Sequence, residues 1–211
     1  MKEIVVGIVP DRIIVPSPSY SVMNYLSPNL IEMLRINQGK DGWEIMPEAA
    51  AATKRQIDGL ASLYEEHGVK VHRPRPWTEV EEEYLASIQS GGWPLYMRDP
   101  VPLTHQWLHL DCVFAIVRRG LAIADLTAFR NGLPDPVKDW KIIPATSEEA
   151  HSLGCNTVCL EENVVLIGAE HKRLIKELKN ERAEVVSTPM DAASMWGGGI
   201  RCATHPLRRE I

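Results

Sequence analysis

The stretch DCVFAIVRRGLAIAD, Asp111 to Asp125, has a near twin in NTVCLEENVVLIGAE, Asn156 to Glu170. Each reads as strand, tight turn, strand, because apolar and β-branched runs flank a short polar turn. The turns RRG and EEN occupy matching places. A helical segment and a further strand are predicted after each hairpin. The first hairpin leads on into SEEAHSLG, and the second runs through EHKRLIKELKNE into AEVVSTP. The predicted unit is therefore ββαβ, and it is repeated. One such unit cannot bury its own apolar face. Copies must pack side by side around an axis, with their loops gathered at one end, where a site would form. The predicted fold class is α/β.

The first half adds strands and helices in the same alternation. EIVVGIV (3–9) is a predicted buried strand, and the proline- and serine-rich stretch after it alternates strand with loop. A short helix is predicted over SPNLIEMLRI, with Ser27 as cap and Pro28 at its first position. The clearest helix is MPEAAAATKRQIDGLASLYEEHG, opened by proline, filled with alanine and closed by glycine. VKVHRPRP reads as a short strand, TEVEEEYLASIQSG as a helix capped by Thr78, and WPLYMRDP as a strand delivering Arg98 and Asp99 at its end.

The 211 residues suffice for one large domain, and the net charge of −5 gives no footprint for a nucleic acid or a membrane surface. No apolar run is long enough to span a bilayer, and the start lacks the apolar core of a signal peptide. A strand that begins almost at Met1 suggests a natural start slightly upstream. Four cysteines in a chain of this size without a signal peptide point to free thiols and a cytoplasmic location. Cys155 and Cys159 lack a matching Cys/His pair nearby, so a zinc site is not expected.

Three stretches carry chemistry: MRDP with Asp99, HLDC with His109 and Asp111, and GGGIRCATHPLRR with Cys202 ahead of a basic tail. Positions two apart in an extended segment point the same way, so His109 and Asp111 are expected on one face at the mouth of a strand. Taken singly, each has a plainer reading: a solvated His-x-Asp, an Asp-Pro turn, a small core cysteine. Their combination, without a metal-ligand pattern, favours nucleophilic chemistry.

These same motifs resemble the guanidino-group-modifying enzymes, most closely the glycine amidinotransferases. The resemblance runs from EIVVG through GVKVHRPRP, MRDP and HLDCVFAIV to NTVCLEENVVLIGAEHKRLIKEL and GGGIRCATHPLRR, nearly the whole chain. It implies a single catalytic domain over 1–211 with the pentein fold, a pseudo-fivefold propeller of ββαβ modules. It implies transfer of the amidino group of arginine, or a similar guanidine, to a small amine or amino acid. Cys202 would be the nucleophile and His109 the acid and base. Asp99 and Asp111 would hold the guanidinium, and Arg130 in LTAFRNG the substrate carboxylate. No cofactor and no metal are implied, because the cysteine does the covalent work. A cysteine-dependent guanidine hydrolase, resembling the arginine deiminases, and a guanidine-binding remnant without turnover stay open as alternatives.

The chain departs from the family at one place. Only the nine residues PVPLTHQWL separate Asp99 from His109, where the family has a whole module and a carboxylate that orients the histidine. An internal deletion near 100–108 is expected, leaving the ring a unit short with an open edge. A second copy of the chain, docking through WPLYM and HQWLHL, is one way to close it. Asp125 and Asp191 are the candidates left to orient His109.

Overall fold

The computed structural model describes residues 1–15, 28–87, 109–129 and 132–208. In chain order these form β1 (Glu3–Val6), α1 (Pro28–Asn37), α2 (Gly42–Ile45), α3 (Pro47–Glu66), β2 (Lys70–His72) and α4 (Glu79–Ser87). After these come β3 (Phe114–Arg118), β4 (Leu121–Ala124), β5 (Lys141–Pro144), α5 (Ser147–His151) and β6 (Val158–Glu161). The chain continues through β7 (Val164–Gly168), α6 (Lys172–Asn180), β8 (Glu184–Thr188) and α7 (Asp191–Ser194) to β9 (Thr204–Arg208). No helix among the described residues is long and apolar enough to cross a membrane.

The strands make three sheets of one design, ordered β2-β1-β9, β3-β4-β5 and β6-β7-β8. In each, the central strand pairs antiparallel with one neighbour and parallel with the other. The two predicted hairpins are β3–β4 and β6–β7. Gly120 and Asn163 close their turns at φ 82° and 68°, and a register shift precedes each turn. Glycine and asparagine are the residues that tolerate this left-handed conformation, which explains why RRG and EEN are equivalent.

The repeat is less regular in its crossovers. α6 links β7 to β8 as expected. Between β4 and β5, however, stand only the 3₁₀ turns Leu126–Ala128 and Asp135–Val137. The SEEA segment forms α5 after β5, where Thr146 and Glu149 make a reciprocal capping box. Two prolines in GLPDPV break the helical run in that crossover.

The sheet β2-β1-β9 comes from the two ends of the chain. β9 plays the part of the first hairpin strand, β1 the second, and α3 the crossover to β2. The segment THPLR, expected to be part of a basic tail, is thus a strand. Its Pro206 lies opposite Ile4 at the edge of the sheet, where a missing N–H does no harm. Three such units stand among the described residues. The proposed deletion near 100–108 and the strand expected at WPLYMRDP lie outside the described residues, as does HQWLHL up to Leu108.

The sheet β6-β7-β8 sits between the other two. On β7, Leu166 enters a core shared with Ile4, Val6, Ile57, Leu60 and Tyr64. Its neighbours Val165 and Ile167 enter the opposite core, with Val117, Leu121 and Ile123. The two-residue period of a strand thus feeds two cores, which is why VVLIG is continuously apolar. The hairpins are also joined by polar contacts. Arg118 donates to Asn163 Oδ1 at 2.6 Å and to the Glu181 carbonyl at 3.2 Å. Leu166→Ala is expected to cost about 2–5 kcal/mol, read as a lower urea midpoint, since the cavity would open in the interface of two sheets.

Candidate active site

The carboxy-terminal glycine segment is held in place before it reaches Cys202. α7 packs on α3, where the Thr53 hydroxyl donates to the Ala192 carbonyl at 3.2 Å, and Gln56 bonds both Asp191 and the Ala193 N–H. Trp196 then donates its indole N–H to Thr53 at 3.2 Å and meets Trp43 edge-on, with ring centroids 4.5 Å apart. Gly199 follows, pressed against a side chain from another module: a Cβ built there would lie 2.5 Å from Asn156 Oδ1. Glycine is required at that point for contact, not for flexibility. Cys202 ends the turn, buried, immediately before β9.

Asn156 lies at the foot of β6, just beyond the turn that ends α5. That turn contains Leu153 at φ 66°, a conformation that costs a branched residue about 1–2 kcal/mol. It brings the Asn156 N–H to the Leu153 carbonyl at 3.0 Å. The Asn156 side chain is buried and makes three hydrogen bonds. Its Oδ1 accepts the backbone N–H groups of Arg201 (2.9 Å) and Cys202 (3.2 Å), and its Nδ2 donates to Cys202 Sγ at 3.2 Å.

His109 and Asp111 are not on a strand. His109 is extended, and Leu110–Cys112 form a 3₁₀ turn leading into β3. The expectation of one strand face is corrected, because the carbonyls of His109 and Leu110 take turn bonds from Cys112 and Val113. The two side chains still meet, with His109 Nδ1 3.8 Å from Asp111 Oδ1. The other Asp111 oxygen, Oδ2, lies 3.3 Å from Arg201 Nε. Arg201 thus ties the His109–Asp111 turn to the cysteine loop. His109 Nε2 and Asp111 Oδ1 are buried and have no hydrogen-bond partner among the described residues. Burial holds His109 below the usual imidazole range, against the opposing pull of Asp111. The neighbouring Cys112 thiol is pushed up to about 12, by burial first and then by the charges of Cys202 and Asp111.

Donor atoms of His109, Asp111 and Cys112 all lie within 4.8 Å of one another, a grouping able to hold a metal ion. Such an ion would have to displace the Cys112 proton and share Asp111 with the Arg201 guanidinium, so the donor set suits it poorly. Cys155 is buried in the core, and the Cys159 thiol donates to the Ile116 carbonyl at 2.8 Å, so the pair serves packing. Asp125 does not orient His109, since its oxygens take Thr127 and Ser147. Asp191 takes Gln56. Asp111 is the carboxylate that the structure sets beside the histidine. Asp99 and Arg130 lie outside the described residues. Asn156 and Arg201 were not among the expected site residues.

The sequence of residues 137–209 matches the arginine deiminase family model. YkgA, an uncharacterised protein of Bacillus subtilis, is 26% identical over 117 residues, covering 55% of this chain and 41% of YkgA. The chain therefore spans about two fifths of the length of that curated relative. Among solved structures, SxtG, an amidinotransferase of saxitoxin biosynthesis from Microseira wollei, superposes with TM-score 0.75. The identity is 14%, over 99% of this chain and 95% of that one. StrB1, the inosamine-phosphate amidinotransferase of Streptomyces griseus, gives 0.65 at 14% identity, over 99% and 94% of the two chains. The chain thus shares the fold of these two amidinotransferases, and its carboxy-terminal third carries the match to the arginine deiminase family model.

Proposed function

We propose that this chain transfers the amidino group of arginine, or a similar guanidine, to a small amine through a covalent amidino-cysteine at Cys202. The observation that carries the reading is the joining of two buried, unsatisfied polar atoms to the loop that carries the buried Cys202 thiol. Among the described residues Asp111 Oδ1 and His109 Nε2 make no hydrogen bond, Oδ1 having only His109 Nδ1 at 3.8 Å, and Arg201 joins their turn to the loop that carries Cys202. A buried carboxylate oxygen with no donor suits an incoming guanidinium N–H. Asp99 would hold the far side of that group, and Arg130 the substrate carboxylate.

In this reading the Cys202 sulfur attacks the guanidinium carbon, and a C–S bond forms. The C–N bond to the rest of the substrate breaks. His109, held neutral near pH 7 by burial, takes the thiol proton and passes it to the leaving amine. The acceptor amine then loses a proton to His109, attacks the same carbon and releases the thiolate. In the alternative, hydrolysis, the other C–N bond breaks: ammonia leaves, and the rest of the substrate stays on the carbon bound to sulfur. Water attacking that carbon releases citrulline and the thiolate. The arginine deiminase match over residues 137–209 favours that second reading. The two are separated by incubating the chain with arginine, alone and with glycine. Transfer gives ornithine together with an amidinated acceptor and needs the amine. Hydrolysis gives citrulline from arginine alone. Absence of all three products from the folded chain defeats both.

A further inference from the structure

The Asn156 carboxamide makes three hydrogen bonds to two consecutive residues of the cysteine loop. Its oxygen takes two backbone N–H groups, at Arg201 and Cys202. That fixes the amide's orientation, because only the oxygen can accept. The amide nitrogen must therefore face Cys202 Sγ, and it does, at 3.2 Å. A thiol is a weak acceptor, whereas a thiolate accepts strongly, so this N–H gains most when the sulfur is charged. Asn156 itself is 2% exposed, so water cannot substitute for it freely.

We propose that Asn156 is a positioning residue that both aims the Cys202 sulfur and raises its nucleophilicity. The proposal deepens the cysteine chemistry argued above and rests on that reading for its catalytic meaning, but its physical content is a property of the sulfur alone. Asn156 reaches across from the β6 module to a loop that ends in β9, so two modules jointly set the nucleophile. Gly199 belongs to the same device, since any side chain there would overlap the Asn156 amide.

Two variants separate aiming from activation. Asn156→Asp keeps an oxygen for both loop N–H groups but replaces the donor at the sulfur with a second acceptor. Asn156→Ala removes the clamp and the donor together. The readout is alkylation of Cys202 by iodoacetamide across pH, followed by peptide mass spectrometry to distinguish it from Cys112, Cys155 and Cys159. The ionisable groups gathered in the same cluster are Asp111, His109, Cys112 and Arg201. Neither substitution removes any of these. Because Asn156→Asp adds a carboxylate of its own, the neutral Asn156→Ala separates loss of the N–H donor from the added charge. A shift in Asn156→Asp alone is the effect of charge and overturns the proposal. At pH 7.5, Asn156→Asp is expected to slow alkylation by about tenfold or more. Its profile should move to higher pH, with circular dichroism and thermal midpoint near those of the parent. Asn156→Ala should slow it as well, with a lower midpoint.

An Asn156→Asp protein alkylated along the parent's profile overturns the proposal and leaves Asn156 as a clamp only. So does a parent Cys202 no more reactive than an ordinary thiol. The readout needs no substrate. Turnover of arginine by the parent with an unshifted Asn156→Asp profile rejects this inference while the enzymatic reading stands. A profile shifted in both variants of a chain that makes no product supports the inference and rejects that reading.

Discussion

Cys202→Ala is expected to abolish product formation from arginine, lowering turnover by at least about a thousandfold. No other described group offers the same attack. Cys112 and Cys155 are buried thiols, each pushed up to about 12 chiefly by burial, and the Cys159 thiol is engaged with backbone carbonyls. A thiol held that high is almost entirely protonated at neutral pH and is a poor nucleophile. Intact mass after brief exposure to arginine checks the assignment directly. The parent protein should gain an amidino group that tryptic mapping locates at Cys202, and the alanine variant should gain nothing. Fold is not expected to suffer, because the sulfur is a small part of a turn held mainly by Asn156 and β9. An adduct that survives in the variant, or that maps to another cysteine, rejects Cys202 as the nucleophile.

His109→Ala is expected to lower turnover by about a hundredfold to ten-thousandfold, the range usual for loss of a general acid and base. Its pH signature follows from burial. The folded-state imidazole titrates below its ordinary value of 6.5, with desolvation the leading cause. The parent enzyme should therefore lose activity only in acid, below that ordinary value, as His109 becomes protonated and can no longer take the thiol proton. The alanine variant should lose this acid limb. Stability moves in the same direction. Between the ordinary and the depressed value, the unfolded chain binds the proton and the folded chain does not. Stability is full above the ordinary value and falls as the pH drops through the interval. Urea midpoints measured from neutral pH downwards should fall less steeply for the alanine variant than for the parent. An acid limb unchanged by the substitution assigns proton transfer to another group.

What could be seen in the sequence was local, and what could not was distant. The hairpins were legible because their apolar runs flank a turn whose last residue, Gly120 or Asn163, must be left-handed. Cys202, His109 and Asp111 were legible because short motifs carry them. The link from Asp111 to Arg201 was not, since the two stand 90 positions apart in the chain. Asn156 was hidden for the same reason. Within GCNTVCL it stands beside Cys155 and Cys159, and those cysteines drew the question of a metal site. Its true partners lie 45 and 46 residues further on. Thr204–Arg208 read as a tail because Pro206 with the neighbouring Arg208 and Arg209 masks a strand whose partner is β1. In the crossover after β4, a helix was expected and prolines prevailed.

β9 pairs with β1 after every other element has been laid down between them. β1 is therefore made long before its partner. Cys202 sits two residues before β9, on a loop whose far side is anchored by that strand and whose near side is clamped by Asn156. The position of its sulfur thus depends on a contact between the strands most widely separated in the described order, and loosening β9 from β1 is a way to disorder the thiol while leaving the β3-β4-β5 core untouched.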